Sequence, residues 1–595
     1  IAINSDKAID TPISLLAEGM FRGLVFDLSL WGYISLFAIV LVLIFGLFTS
    51  IGLPLRITNA LTGILSTIIV ILLPGDAIIY SYWGRHYDFS DLGMIIDNPS
   101  LALASVETPM LVLYIIVAVI FAICNIIVLK KFTCKVTEEK NDVAPKYWQR
   151  GVQFLAIAVI GGLLVIPIRG GVGLAPLNTG RAYFSNTLFA NHVALNPVWN
   201  FIYSIKRANQ TSQTYHFMSD EEANKIFSKL TSGAHSDNFL PILKNNRPNV
   251  VYILLESFSA HCIEALGGEN VTPNLMKIAK EGIFFDNIYA SSDRSGKGLV
   301  AAMCGYPVLP TYSIIQYPQK TQALPYMAKK MRENGYESQT FIYGGDLRFN
   351  SFNSLVTLAG FDNVITENDF PSSAMGDKWG AHDESTLSRL LEEMKSQKQP
   401  FFDFIFTLSS HEPFTVPMEK HHDNPYLNSV FYTDSCLGDF FCRAKNSGLW
   451  DNTLYVLVAD HGHGGPNNVG NDDKMRFRIP FVLTGGALCV SDTTINKVGS
   501  QIDIVSTVLP QLGIDAQEFK FSKNLLSEDA ASYAFYDFND GFGYVDNDQY
   551  YVYDNQGAQF LKYESNKNND QDSSIGMAIL QTMSDDCANL DKKGR

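Results

Sequence analysis

Cysteine is scarce in this chain, with eight in 595 residues, and none is spaced Cys-x-x-Cys. The missing spacing excludes a zinc ribbon and a thiol redox motif. Cys124 and Cys134 fall in or beside an apolar run, and Cys262, Cys304, Cys436, Cys442, Cys489 and Cys587 lie downstream. Buried free thiols are the expected state, with one disulfide among the downstream six as the alternative if that part lies outside the cell. Positive charge is also in deficit: 45 Lys and Arg against 60 Asp and Glu leave a net charge of −15. An acidic surface repels a phosphate backbone, so nucleic acid is not expected as a partner. No internal repeat and no low-complexity tract is present, which removes solenoids and arrays.

What the chain does have is more apolar residue than an ordinary soluble enzyme, with a mean hydropathy of +0.06. The apolar residues concentrate before residue 170 and the acidic ones after 215. A bilayer takes about 20 apolar residues to cross. Four stretches are that long, at about 28–50, 58–83, 109–130 and 151–168, and the second is interrupted by Pro74-Gly75-Asp76. Residues 1–169 are therefore expected to be a transmembrane domain. The loop from Lys130 to Arg150 is basic, and the loop from Gly84 to Glu107 is acidic through Asp88, Asp91, Asp97 and Glu107. The positive-inside rule puts the first loop in the cytoplasm and everything after Ile168 outside. The same count puts Ile1 outside, so a further N-terminal span is expected to precede it. Thr11–Phe26 suits an amphipathic helix lying in the interface.

Residues 170–247 read as a connector with an interfacial helix, because Phe184, Phe189, Trp199, Phe201 and Tyr203 crowd one stretch. Arm, lid and linker are all compatible with it. From 248 to 531, strand-like runs such as Val250–Leu255, Phe402–Thr407 and Leu454–Ala459 alternate with helical patterns such as Asp383–Gln397 and Val430–Ser447. That alternation predicts a mainly parallel sheet with helices on both faces. Short aromatic runs such as Gln549-Tyr-Tyr-Val-Tyr-Asp554 predict a small antiparallel sheet within 532–595.

Three segments deliver chemistry at strand ends. Leu454–Ala459 runs into Asp460-His461-Gly462-His463, and Asn249–Leu255 runs into Glu256. Two carboxylates, an imidazole and a hydroxyl suit a hard or borderline divalent cation. A turn Asp with a surface His, and a capping or ion-paired Glu, are the plain alternatives. Ser295 precedes Gly296-Lys297-Gly298 and a helical run; it is either a nucleophile in the field of a helix N-terminus or an ordinary cap. His411, in Ser-Ser-His411-Glu-Pro-Phe, is either a proton donor to a leaving oxygen or a polar loop residue.

The order of these motifs over about 249–530 resembles the lipoteichoic acid synthase-like branch of the sulfatase and alkaline phosphatase superfamily. The resemblance implies one divalent ion, manganese, magnesium or zinc, held by Glu256, Asp460, His461 and the nucleophile Ser295. It implies substrate-binding roles for His411, Asp346, Arg348 and His463. Serine stands where the family usually has threonine, and both carry the required hydroxyl. The family's Phe-Trp-Asn-Arg run is replaced by Tyr343-Gly-Gly-Asp346-Leu-Arg348-Phe, which leaves the headgroup open between glycerol phosphate and phosphoethanolamine. A formylglycine sulfatase needs Pro two and Arg four residues after its nucleophile. Lys297 and Leu299 stand there, so a sulfate ester hydrolase is rejected.

The function implied is a phosphotransferase of the bacterial cytoplasmic membrane with its catalytic domain outside. It would move a phospholipid headgroup to an extracytoplasmic glycan or lipid acceptor through phospho-Ser295. A phosphodiesterase releasing the headgroup to water, and a non-enzymatic membrane sensor on the same fold, are the alternatives.

Overall fold

The computed structural model describes residues 1, 3–46, 52–84, 86–87, 89, 108–138, 147–172, 177, 179–182, 184–185, 187–208, 215–316, 318–347, 349–566 and 572–593. It divides into two compact units, residues 1–97 with 106–211 and residues 98–105 with 212–595.

In the first unit the apolar runs form helices Ile13–Gly46, Gly52–Trp83, Thr108–Glu138 and Tyr147–Leu163. By length and composition, Ile13–Leu41, Ile57–Ser81, Thr108–Lys131 and Trp148–Arg169 can each cross a bilayer. On the third helix Val112, Ile115, Ile116, Val119 and Ile120 are exposed, a surface that water disfavours and lipid accepts. The first helix starts at Ile13, so Ile13–Phe26 is its opening turns and not a separate interfacial helix. Within it Arg22 donates to Glu18 at 2.7 Å, one turn away. Pro74 does not end its helix, which continues to Trp83. Asp76 beyond it is buried, 2.7 Å from His86 Nδ1, and accepts from Tyr87 N at 3.2 Å. The acid in an apolar helix is thus partnered. The loops that set the expected orientation fall largely on 90–107 and 139–146, outside the described residues. The aromatic stretch of the connector forms the short helices Leu188–Ala194 and Pro197–Ala208.

The second unit is built on strands β1 (Asn249–Leu255), β2 (Ile283–Tyr289), β3 (Ser338–Tyr343), β4 (Asn363–Ile365), β5 (Phe401–Phe406), β6 (Thr453–Ala459), β7 (Arg478–Thr484), β8 (Thr493–Ile495) and β9 (Gly499–Ser500). Their order is β4-β3-β5-β1-β6-β7-β2-β8, with β9 also on β2. Every residue of β1, β5 and β6 is buried, as expected of central strands covered on both faces. Four strands, β10 (Tyr533–Phe538), β11 (Gly541–Asp546), β12 (Gln549–Asp554) and β13 (Gln559–Ser565), make the antiparallel meander. The helix Ser574–Lys593 comes after it; the aromatic alternation of the preceding strands gave no sign of it. The helix expected from Val430 starts earlier, at Pro425, because the Asn424 side chain accepts from the backbone N–H groups of Tyr426 and Leu427. All six cysteines downstream of residue 170 are free thiols.

Candidate metal centre

Strand register assembles the site. β1 pairs in parallel with β5 and with β6, with Leu254 opposite Phe406 and Leu255 opposite Ala459. The next residue of each strand is therefore a neighbour across the sheet's carboxyl edge, where open α/β sheets bind ligands. Those residues are Glu256, Thr407 and Asp460. Backbone bonds carry the ladder to that point, with Asp460 N donating to Leu255 O at 2.9 Å and Thr407 N to Leu254 O at 3.0 Å. β2 reaches the same edge through two antiparallel steps, by way of β7. It hands the chain to the turn before Ser295.

Glu256, Asp460 and His461 are buried, and their ligand atoms all lie within 4.8 Å of one another. The Ser295 Oγ is 3.3 Å from Glu256 Oε2 and 3.3 Å from His461 Nε2. His461 Nδ1 donates to Gly462 O at 2.7 Å, so Nε2 keeps its lone pair for the shared centre. That nitrogen is 3.4 Å from Asp460 Oδ2 and 3.6 Å from Glu256 Oε1. Asp460 Oδ1 accepts from Ser257 N at 2.8 Å and His461 N at 2.7 Å, whereas its Oδ2 is buried with no hydrogen-bond partner. Burial pushes both carboxyls up to about 7. Two crowded acids and an imidazole lone pair, gathered within 4.8 Å, could hold a divalent cation. Oxygen and nitrogen donors without sulfur fit manganese, magnesium or zinc.

Two glycines allow the close approach. A Cβ on Gly298 would lie 1.9 Å from Asp460 O, and one on Gly462 would lie 1.6 Å from Arg476 O. Ser295 is the first residue of the helix Ser295–Cys304, and the cap position is Arg294, whose side chain makes no capping bond. Capping therefore does not explain this serine.

His411 stands beside the site. The preceding Ser410 donates to Glu256 O at 2.6 Å, and the His411 ring lies 4.2 Å from that of Trp379. Its Nδ1 donates to Glu412 O at 2.9 Å, which leaves Nε2 for proton exchange. His463 is held by other partners: its Nδ1 accepts from Gly465 N at 2.9 Å, and its ring packs 4.2 Å from Tyr426. Burial holds its imidazole toward the neutral form. Asp346 lies just past β3 at the same sheet edge, with β5 between it and Glu256. Arg348 lies outside the described residues.

The Sulfatase family model matches residues 248–514, which span this edge and every ligand named above. Residues 248–514 are a sulfatase domain. Relatives include a lipoteichoic acid synthase-like protein of Bacillus subtilis, 25% identical over 48% of this chain and 51% of that protein. Lipoteichoic acid synthase 1 of the same organism is 25% identical over 64% of each chain. Phosphoglycerol transferase I of Xanthomonas campestris is 25% identical over 48% of this chain and 43% of its own length. The chain spans about half the length of the first of these curated relatives. Among solved structures, an alkaline phosphatase superfamily protein of Vibrio parahaemolyticus shares the fold with TM-score 0.57 and 25% identity over 64% of this chain and 98% of its own. The lipoteichoic acid synthase LtaP of Listeria monocytogenes has TM-score 0.52 and 20% identity over 62% and 98%.

Two further residues support the centre of the sulfatase domain. Ser257 has φ +58°, a left-handed conformation that costs about 1–3 kcal/mol outside glycine. There its Oγ donates to Glu256 Oε1 at 2.6 Å. Gln501 accepts from Ser291 N at 3.3 Å and donates to Ala459 O and Asp460 O at 2.7 Å each. It thereby ties the turn before Ser295 to the end of β6. Ser257 follows Glu256 at the end of its strand, whereas Gln501 belongs to no motif and is separated from Asp460 by 41 positions.

Proposed function

We propose that this protein is a membrane-anchored, metal-dependent phosphotransferase that moves a phospholipid headgroup, glycerol phosphate or phosphoethanolamine, to a hydroxyl of an extracytoplasmic glycan or lipid. The observation that carries the reading is the Ser295 hydroxyl 3.3 Å from both a carboxylate and an imidazole of the buried acid–histidine group. The sulfatase domain, the relatives named for lipoteichoic acid synthesis and phosphoglycerol transfer, and four bilayer-length helices support it. The charge pattern of the loops between those helices supports an outward-facing domain in the bacterial cytoplasmic membrane.

Glu256, Asp460, His461 and Ser295 would hold one divalent ion. Such an ion supplies positive charge that lowers a hydroxyl's pKa and offsets phosphoryl charge. The Ser295 Oγ, entering as the alkoxide after losing its proton to solvent, attacks phosphorus of the donor lipid; the new O–P bond forms as the bond to the diacylglycerol oxygen breaks. His411 Nε2 gives that oxygen its proton and later takes one from the acceptor hydroxyl. The acceptor oxygen then displaces Ser295 from phosphorus, which restores the enzyme. Asp346, Arg348 and His463 are assigned to headgroup recognition.

Intact-protein mass after incubation with phosphatidylglycerol or phosphatidylethanolamine tests this. The expected result is a headgroup-phosphate gain on the wild type and none on Ser295→Ala. An unmodified wild type, or an equal gain on the variant, removes the proposal. Hydrolysis to water shares every residue, and acceptor dependence of the second step separates it.

A further inference from the structure

The turn that carries Ser295 is held by a residue outside the matched sulfatase segment. We infer that Asp537, on β10 of the C-terminal meander, is a positioning residue for the nucleophile, acting through Ser292 and Lys297. This rests on the reading of Ser295 as the nucleophile.

One carboxylate oxygen of Asp537 brackets the nucleophile from both sides. Three residues before it, Ser292 Oγ donates to Asp537 Oδ1 at 2.6 Å and to Asp537 O at 3.1 Å. Two residues after it, Lys297 Nζ donates to the same Oδ1 at 2.9 Å. The backbone joins as well, since Asp537 N donates to Ser291 O at 2.9 Å. Lys297 is fixed further by Leu309 O at 3.0 Å and Pro310 O at 3.1 Å. All three side chains are buried: Ser292 and Asp537 at 0% exposure and Lys297 at 6%.

A buried lysine needs a compensating acid. Here the acid is supplied from 240 residues away. Were the aim only to pack the meander onto the domain, apolar contact would suffice, and β10 already supplies it: Tyr536 stacks on Phe477 at 3.9 Å between ring centroids. The ionic tether instead falls on the two residues flanking the turn whose hydroxyl must sit against Glu256 and His461. Misplacing a reacting atom by about 1 Å costs on the order of 100-fold in rate. The meander thereby supports the site at one remove, through Ser292 and Lys297.

The test uses the full chain in detergent, with manganese and phosphatidylglycerol, and follows the rate of mass gain on Ser295 in a single turnover. For Asp537→Ala the rate should fall at least about tenfold. Bound manganese and the lipid concentration for half-maximal rate should be unchanged. Asp537→Asn keeps an oxygen for Ser292 and Lys297 but loses the charge that compensates the buried lysine, so its rate should fall between those of Asp537→Ala and the wild type. A wild-type rate per manganese-loaded Asp537→Ala molecule overturns the inference, as does a slow rate that tracks lost manganese. If Asp537→Ala does not fold, Ser292→Ala removes one tether alone. It should then slow the step several-fold, and no slowing overturns the inference. A wild type that gains no mass overturns the nucleophile reading and this inference with it.

Discussion

Two sets of buried acids in the sulfatase domain are satisfied in opposite ways. Asp503, beneath the meander, is ion-paired with the buried Lys523 and accepts from Ser500 N at 2.7 Å and Lys523 N at 3.0 Å. Asp383, behind β5, is saturated by Leu408 N at 2.8 Å, Ser409 N at 3.2 Å and Thr433 Oγ1 at 2.7 Å. At the carboxyl edge, Glu256 and Asp460 have each other and His461 instead of a lysine, and Asp460 Oδ2 faces the His461 Nε2 at 3.4 Å. Where the fold needs a buried acid for its own stability it provides a lysine or a full set of hydrogen-bond donors. At the carboxyl edge it provides no lysine, and in the proposed reading a divalent cation from solution supplies the missing charge.

That difference breaks cleanly under mutation. Removing the cation from the scaffold pair, Lys523→Met, strands Asp503 and should cost about 3–5 kcal/mol in unfolding free energy. Manganese binding by the folded fraction should stay intact. Asp460→Asn should do the reverse. It keeps the oxygen that accepts from Ser257 and His461 and removes an uncompensated charge. The metal-free protein should gain about 1–3 kcal/mol at alkaline pH while manganese affinity falls more than about 100-fold. Denaturant melts with and without chelator check both, and equal signs for the two variants would erase the distinction.

A smaller effect sharpens it. Burial raises Glu256 and Asp460 to about 7 in the folded protein, against about 4 in an unfolded chain. Between those values the folded state holds more protons. This stability is full below about pH 4 and is lost as pH climbs to about 7. Metal binding requires the deprotonated acids. The increase in melting temperature on adding manganese should therefore grow steadily from about pH 5 to about pH 7.5. A flat or shrinking increase would place the ion elsewhere.

The features legible in the sequence are those where a fully buried strand ends abruptly in charge. β1 and β6 read as unbroken apolar runs, so Glu256 and Asp460, the first residues past them, had to sit at the sheet's edge. The first helix misled because its opening turns, which suit an interfacial helix, run without a break into the apolar span. The roles of Lys297 and Ser292 have no local signature because their partner, Asp537, sits in an aromatic strand about 240 positions on. Gln501 acts through side-chain bonds to backbone groups distant in sequence, which leave no local signature. The helix Ser574–Lys593 opens with Ser574 and Gly576 and carries several acids, a weak helical pattern set against a strongly aromatic meander.

The most direct measurement is a calorimetric titration of manganese into the chelator-stripped full chain at about pH 7.5, run in two buffers of different ionisation enthalpy. A metal centre at the sheet's carboxyl edge predicts one site per chain with release of protons, and no site in Asp460→Asn or His461→Gln. Binding that survives both substitutions, or a wild type that takes up no ion, would contradict it.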